Sequence, residues 1–555
     1  VRAALTTFAK LLWESRERSV DLSELRRALG DDGRPWDQSL VRALEHEGVL
    51  LRMPSDDGGA YVPVYDRLGG HIIATALLAK HGQAGFDTWI RESTTTALLA
   101  GDYDKRHPLG DDIVYSLVGQ IPRRFYSKQL WQLVDEPIRA RALRTAARLE
   151  AAYLDAATVD ALLDLVRSGD AEILRLLWET RGAVNHPLNA VALDQALRPM
   201  AVAERDLRWT EWLRNQDDAL KDLERLVQRW RHGGVRAGDP LRARWVMWTL
   251  TTSVRLMRDQ ATLALYWFGR ADPDSLFELT LDALSVNDAY VGERMLAASY
   301  GVVMSHQQEP AALEQPLQAL LVGLENALVG PSATAATLHY LARMYAKGIV
   351  EFAAKFRPAI LSAGLQGDWA FAAPAHAMPI PEGDPRADEL KHTLQMDFEN
   401  YTLGRLCDGR ANYDMSHQGH QDAVAFVLGV TWELGWRVDT FDALDRRIAE
   451  DAYRGRGHRP LAERYGKKYS WIGFFNYAGL LEDSGRFPRE GRPFTDVDID
   501  PSFPEEAPID GGSDVPSGSV TLVQAATGAG SSEETDLRKF KLWYSRFSNF
   551  LLFSI

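Results

Sequence analysis

From about residue 85 to about residue 450 the chain reads as one helix after another, and this succession limits its fold more than any other feature. Ile138 to Asp155, Thr158 to Arg167, Ala171 to Arg181, Leu220 to Arg231, Ala243 to Met257, Pro273 to Leu284, Tyr290 to Met304 and Thr337 to Phe356 carry apolar residues at helical spacing. Gly169, Gly182, Gly234, Pro240 and Gly330 separate them. Few strand signals intervene, so a sheet-centred fold is excluded for this stretch. The 555 residues are 46% hydrophobic and 25% charged, which suits two or three domains or one long array rather than a disordered chain.

Helix pairs recur at a spacing of roughly 40 residues, the period of a HEAT-like or TPR-like α-solenoid, in which each pair buries its apolar face against its neighbours. A compact irregular helical domain is the alternative. The helical array is assigned to residues 85–365.

Residues 1–84 read as a winged helix. Leu5, Phe8, Leu11 and Leu12 mark a first helix from Ala3 to Arg18, and Asp21 opens a second from Leu22 to Leu29. Pro35 opens a third, from Trp36 to Glu47. Val49-Leu50-Leu51 and Ala60 to Val64 flank a turn rich in Pro, Asp and Gly, which predicts a hairpin. The third helix carries Asp37, Glu45 and Glu47 against Arg42, and Asp56 and Asp57 sit at the hairpin tip, so phosphates are repelled and DNA reading is disfavoured.

The formal charge of −14, from 63 basic and 77 acidic residues, also argues against general nucleic-acid binding. One cysteine, Cys407, leaves no internal disulfide and fits a reducing cytoplasm. No apolar run approaches the length of a membrane span, and Glu14, Arg16, Glu17 and Arg18 interrupt the N-terminal apolar run too early for a signal peptide. The first residue is Val1 rather than methionine, which reads as a fragment whose catalytic domain lies upstream.

Residues 366–390, rich in Gly, Ala and Pro, read as a linker or long loop, and residues 391–510 as a C-terminal helical block. Pro493 to Leu537 holds ten acids and no lysine or arginine. Gly511 to Ser532 is rich in Gly, Ser, Ala and Thr, so 511–555 is expected to be a disordered tail.

The densest chemistry lies near the end of the helical region. Arg454, Arg456, Arg464, Lys467 and Lys468 interleave with Tyr465, Tyr469 and Trp471. Such a block serves as a contact surface for an acidic partner, as a structural cap on the array, or as a grip on nucleic acid. Arg464, Lys467, Lys468 and Trp471 are the candidates for an exposed or switchable surface. Trp245 to Thr262 reads as two helices meeting near Asp259, with Arg258 and Asp259 stabilising the turn. No phosphate loop, nucleophile elbow or zinc-protease motif is present, so the chain alone is expected neither to bind nor to hydrolyse ATP. Weak metal candidates are His417 with His420, beside Asp414 and Asp422, and the alternating Asp496, Asp498 and Asp500, which lack the glycine and glutamate of a calcium loop.

Several segments together resemble one family. The stretch Val64 to Ala74 resembles the winged helix that follows the ATPase core in NACHT-like STAND NTPases. Thr249 to Thr262, Val286 to Arg294, Glu463 to Leu481 and Asp496 to Ser502 look like blocks in the helical C-terminal half of bacterial antiviral STAND ATPases of the Avs class. The likeness covers residues 1 to about 505, and the Lys-Lys-Tyr-x-Trp block is its most distinctive part. It implies the regulatory and sensing half of a cytoplasmic ATPase that binds a phage protein, oligomerises and switches on an effector. ATP and magnesium are then expected only for an upstream domain, and no catalytic residue in this chain. Alternatives are a stand-alone α-solenoid scaffold for protein interaction, or a metal-dependent hydrolase or nuclease.

Overall fold

The apolar periodicity is what the chain follows: the computed structural model describes residues 1–488 apart from 55–58, 126–127, 306–309, 395–397, 411–412 and 455–461, and is mainly helical. Among the described residues the only sheet has three short strands, and no helix is long and apolar enough to cross a membrane. Two compact units are present, Val1–Ala192 and Leu193 onward.

The first unit opens with helix Arg2–Ser15, which buries Ala4, Phe8, Ala9 and Leu12 along one stripe. Strand Val20–Asp21 follows, too short to be foreseen from alternation. It pairs antiparallel with Ala60–Pro63, which pairs in turn with Leu50–Met53, in the registers Val20↔Tyr61 and Leu51↔Val62. The third helix runs over Leu40–His46 and begins later than the expected Trp36. Buried Asp31 accepts the amides of Leu40 (2.6 Å) and Val41 (3.4 Å), and the Ser39 hydroxyl accepts that of Arg42 (3.1 Å). These two residues satisfy the helix start and leave Trp36–Gln38 as a separate 3-10 turn.

Helices Asp66–Trp89, Gly110–Arg124 and Ile138–Ala146 then pack in succession. The last of these stops well short of the expected Asp155, because the Asp155 carboxylate accepts the Thr158 amide at 2.7 Å and starts helix Ala156–Ser168 instead. His107, stacked on Trp13, accepts the Leu109 amide on Nδ1 and donates from Nε2 to the Leu12 carbonyl, which ties the first helix to this stack.

In the second unit, Ala219–Gly233, Arg255–Ala271, Ala289–Ser305 and Tyr340–Phe356 pack side by side as one row. Asp239–Thr249, Pro273–Ala283 and Pro310–Leu328 form a second row against it. The break expected near Asp259 lies earlier, at Leu250 to Val254, and Arg258 and Asp259 sit inside a continuous helix. Residues 366–384 hold no helix, yet the loop is tied down. The Ala372 amide reaches the Leu328 carbonyl and the Ile380 amide the Ala425 carbonyl, both at 2.8 Å, and Ile380 is buried.

Helix Tyr465–Asp483 packs against Tyr340–Phe356, Pro385–Leu394 and Gln418–Glu433. Buried residues occur on every face of it, as expected of a helix enclosed by others. At Gly479 a Cβ would fall 1.9 Å from the Leu338 carbonyl oxygen, far inside van der Waals contact. Gly479→Ala is therefore expected to destabilise the protein by about 1–3 kcal/mol through overpacking. Gly119→Ala, mid-helix with open space around its Cβ position, is expected to stabilise it by about 0.5–1 kcal/mol. Denaturant unfolding of the two variants checks the pair, and equal effects would contradict this packing.

Candidate functional site in the second unit

The Lys-Lys-Tyr-x-Trp block opens helix Tyr465–Asp483, and its N-terminus is held from outside the helix. Asp445 accepts the amides of Tyr465 (2.5 Å) and Gly466 (2.9 Å) and the indole N–H of Trp436 (3.0 Å). Burial raises the Asp445 pKa, while these three hydrogen bonds favour its charged form. Two residues before the helix, the Glu463 amide donates to the Ser253 carbonyl at 2.8 Å, beside a bridge between Val254 and Ala462.

Lys468 points from the first turn into the protein and is 0% exposed. Its Nζ donates to Asp206 (2.9 and 3.0 Å), to Asp288 Oδ2 (2.9 Å) and to the Thr251 carbonyl (2.9 Å). An ammonium has three donors, and all three are used. Asp206 also accepts the Tyr469 and Thr210 hydroxyls, each at 2.8 Å. Arg205, buried and lying over the Trp248 ring, stands 3.8 Å from Asp288. Two cations and two carboxylates thus balance without solvent.

Burial opposes ionisation of both carboxylates, and they resolve it differently. Lys468 and Arg205 together hold Asp288 below the ordinary carboxylate range. Asp206 has Lys468 but also faces the Asp288 charge, and burial pushes it above that range.

Helix ends supply much of the cluster. Thr251 and Thr252 follow the end of helix Asp239–Thr249, where carbonyls lack helical partners and attract cations; Lys468 takes the first, and Arg258 the second at 2.6 Å. Asp288 precedes helix Ala289–Ser305 and accepts the Tyr290 amide at 3.1 Å. Asp206 sits on a π-helical turn, Asp206–Thr210, flanked by the helical residues Val202–Arg205 and Glu211–Arg214.

A second layer fastens the lead-in segment. Arg258 lies 4.4 Å over the Tyr290 ring and donates to Glu463 at 3.1 Å, and the Tyr290 hydroxyl reaches the same Glu463 oxygen at 3.4 Å. Glu293 pairs with Arg294 at 3.0 Å and lies 3.8 Å from His339. At the far end of helix Tyr465–Asp483, buried Arg343 pairs with Asp483 at 2.6 Å and donates to the Thr337 and Ala372 carbonyls.

Two of the four candidates for an exposed or switchable surface are enclosed instead. Lys468 and Trp471 are both buried, Trp471 edge-on to Phe398 and stacked with Phe475. Tyr465 and Tyr469 are buried as well. Arg464, half-buried, donates to the His392 carbonyl at 3.4 Å, and Lys467 is also half-buried. Arg454 ends helix Ala443–Arg454, and Arg456 lies outside the described residues. His420 is buried with Nε2 3.0 Å from the Glu399 carbonyl, and His417 precedes its helix. Asp496, Asp498 and Asp500 lie outside the described residues. Among the described residues no three His, Cys, Asp or Glu side chains are grouped to hold a metal ion.

Sequence reasoning missed Asp206 and Arg205. The signal was available: Val202, Asp206, Trp209 and Leu213 share one helical stripe and are all buried, so Asp206 is a charge on an apolar face. What the arrangement can do is mechanical. A neutralised ion cluster without solvent access holds helix ends in register, and removing one partner strands the others at a cost of about 3–5 kcal/mol.

His339 gives the cluster a pH signature. Among the described residues neither ring nitrogen has a hydrogen-bond partner, and burial lowers its pKa from 6.5 to about 3. Within that window the unfolded chain binds more protons here than the folded one, so stability falls as pH falls. Glu293 titrates oppositely, because burial raises its carboxyl. His339→Phe is expected to reduce the slope of unfolding free energy against pH, between about pH 4.5 and 6, by about 1.4 kcal/mol per unit. An unchanged slope in denaturant unfolding contradicts the assignment.

Comparison with family models, with curated proteins and with solved structures gives no match to this chain. The reading of the site rests on its own residues.

Proposed function

We propose that this chain is the regulatory and ligand-sensing region of a STAND-type ATPase in antiphage defence, with the buried ion cluster locking its sensing unit together. One observation carries the reading. Three of the separate segments on which the resemblance rests meet in that cluster: Thr251, Thr252 and Arg258 from the first, Asp288, Tyr290 and Glu293 from the second, and Glu463, Lys468 and Tyr469 from the third. Segments that look alike across a family for a structural reason should meet in space, and these do.

In this reading the three helices and three strands at the start are a winged helix, and the two rows of helices are an α-solenoid of the HEAT or TPR kind. Such arrays present long surfaces to protein ligands, here a phage protein. The winged helix serves intramolecular packing, since the sequence around its third helix carries Asp37, Glu45 and Glu47 against Arg42, with Asp56 and Asp57 between its last two strands. ATP hydrolysis belongs to an upstream domain, and binding of the phage protein drives oligomerisation in the cytoplasm and switches on an effector. A stand-alone interaction scaffold is the alternative, and the same two rows of helices would serve it.

The test is genetic. The reading expects this chain to continue, in one open reading frame, from a nucleotide-binding ATPase domain, and cells carrying the locus to resist a phage panel. Deleting the codons for Leu193–Asp483 is expected to abolish that resistance. A frame without an ATPase domain selects the scaffold, and resistance unaffected by the deletion contradicts the sensing role.

A further inference from the structure

Within the first unit, helices Asp66–Trp89, Gly110–Arg124, Ile138–Ala146 and Ala171–Thr180 contribute to one cleft of about 540 Å³. That volume lies in the range of small-ligand sites. Its lining is mostly polar and carries arginines from two of these helices and from the turn after the third.

The Arg67 guanidinium lies over the Tyr115 ring, 3.7 Å from its centroid, with Nε 3.3 Å from Asp112. Arg141 and Thr145 stand one turn apart, and Arg148 follows in a turn closed by its amide on the Thr145 carbonyl. The carboxylates present do not satisfy these cations. Asp111 is shared by Arg106 and Arg141. Among the described residues Arg148 reaches only Glu172, and at 3.8 Å that is an ion pair without a hydrogen bond. Four guanidiniums (Arg67, Arg106, Arg141, Arg148) face three carboxylates (Asp111, Asp112, Glu172), a local surplus of one positive charge in a chain of net −14. Arg67 meets Asp112 through Nε, and the Arg148 guanidinium stands 3.8 Å from Glu172, while Thr145 and Tyr115 bring hydroxyls to the same lining. Burial, and after it the neighbouring Arg106, lower the Arg141 pKa.

We infer that this cleft binds a small phosphorylated ligand, its phosphoryl oxygens taken by the Arg67, Arg141 and Arg148 guanidiniums and the Thr145 hydroxyl. Planar guanidinium forks pair with two oxygens of a phosphoryl group at once. Such a ligand relieves the like-charge crowding without displacing Asp111. The site lacks the backbone-amide cradle of a phosphate loop, so it holds a ligand without the machinery for hydrolysing it. The inference is independent of the proposed function, which rests on the second unit.

Pyrophosphate serves as the probe, titrated calorimetrically into the full chain at fixed ionic strength, with sulfate and citrate as controls. Pyrophosphate is expected to bind more tightly than either control. Arg67→Ala with Arg148→Ala is expected to weaken it at least tenfold while the thermal midpoint holds. Should that double variant not fold, Arg148→Lys and Thr145→Val take its place, each expected to weaken binding several-fold. No pyrophosphate binding at millimolar concentration overturns the inference, as does binding unchanged in the folded variants. Citrate binding as tightly as pyrophosphate overturns the phosphoryl assignment.

Discussion

A lysine ammonium shut away from water must find three acceptors, and the second unit is built around the three found by Lys468. Asp206, Asp288 and the Thr251 carbonyl come from three separate stretches of chain, and each lies 2.9 Å from Nζ. An unpaired buried charge costs several kcal/mol, so none of these stretches can shift without exposing the lysine to that cost. The neighbouring polar groups secure this arrangement. Arg205 backs Asp288, Tyr469 and Thr210 complete Asp206, and Asp445 fixes the start of the helix that carries the lysine.

Buried ion pairs are seldom more stabilising than well-packed apolar side chains, and their better-attested contribution is to fix one register among several. That suits an array of stacked helices, where apolar rows alone would tolerate sliding by a turn. The cluster works at helix ends, where unsatisfied amides and carbonyls already favour charge of one sign. Cations meet the carbonyls after Thr249 and anions meet the amides at Tyr290 and Tyr465. Under the proposed sensing role, helices locked this way respond to a ligand together rather than one by one.

The predominance of helix was legible because apolar spacing and glycine stops are local. The ends at Gly169 and Gly330, for instance, coincide with left-handed residues that end or follow their helices. The break at Leu250 to Val254 was not legible, because that stretch holds threonines and a serine but no glycine or proline, and its apolar spacing runs on. Arg258 and Asp259 look like a turn pair in sequence, while in the structure Arg258 faces Glu463, 205 positions away. The burial of Lys468 was hidden for the same reason. Its carboxylate partners lie 262 and 180 residues distant, and nothing beside a lysine in sequence shows a pairing at that range. The aromatic density around it was visible, and it marked enclosure rather than a docking surface.

Lys468 and Asp206 stabilise the fold through each other. A double-mutant cycle with Lys468→Met and Asp206→Asn, followed by denaturant unfolding, measures that directly. Each single change leaves a partner stranded, whereas the double change removes both charges at once. A coupling energy of about 2–3 kcal/mol is predicted, within the range seen for residues in one buried network. Additive single effects, with coupling below about 0.5 kcal/mol, would contradict the account.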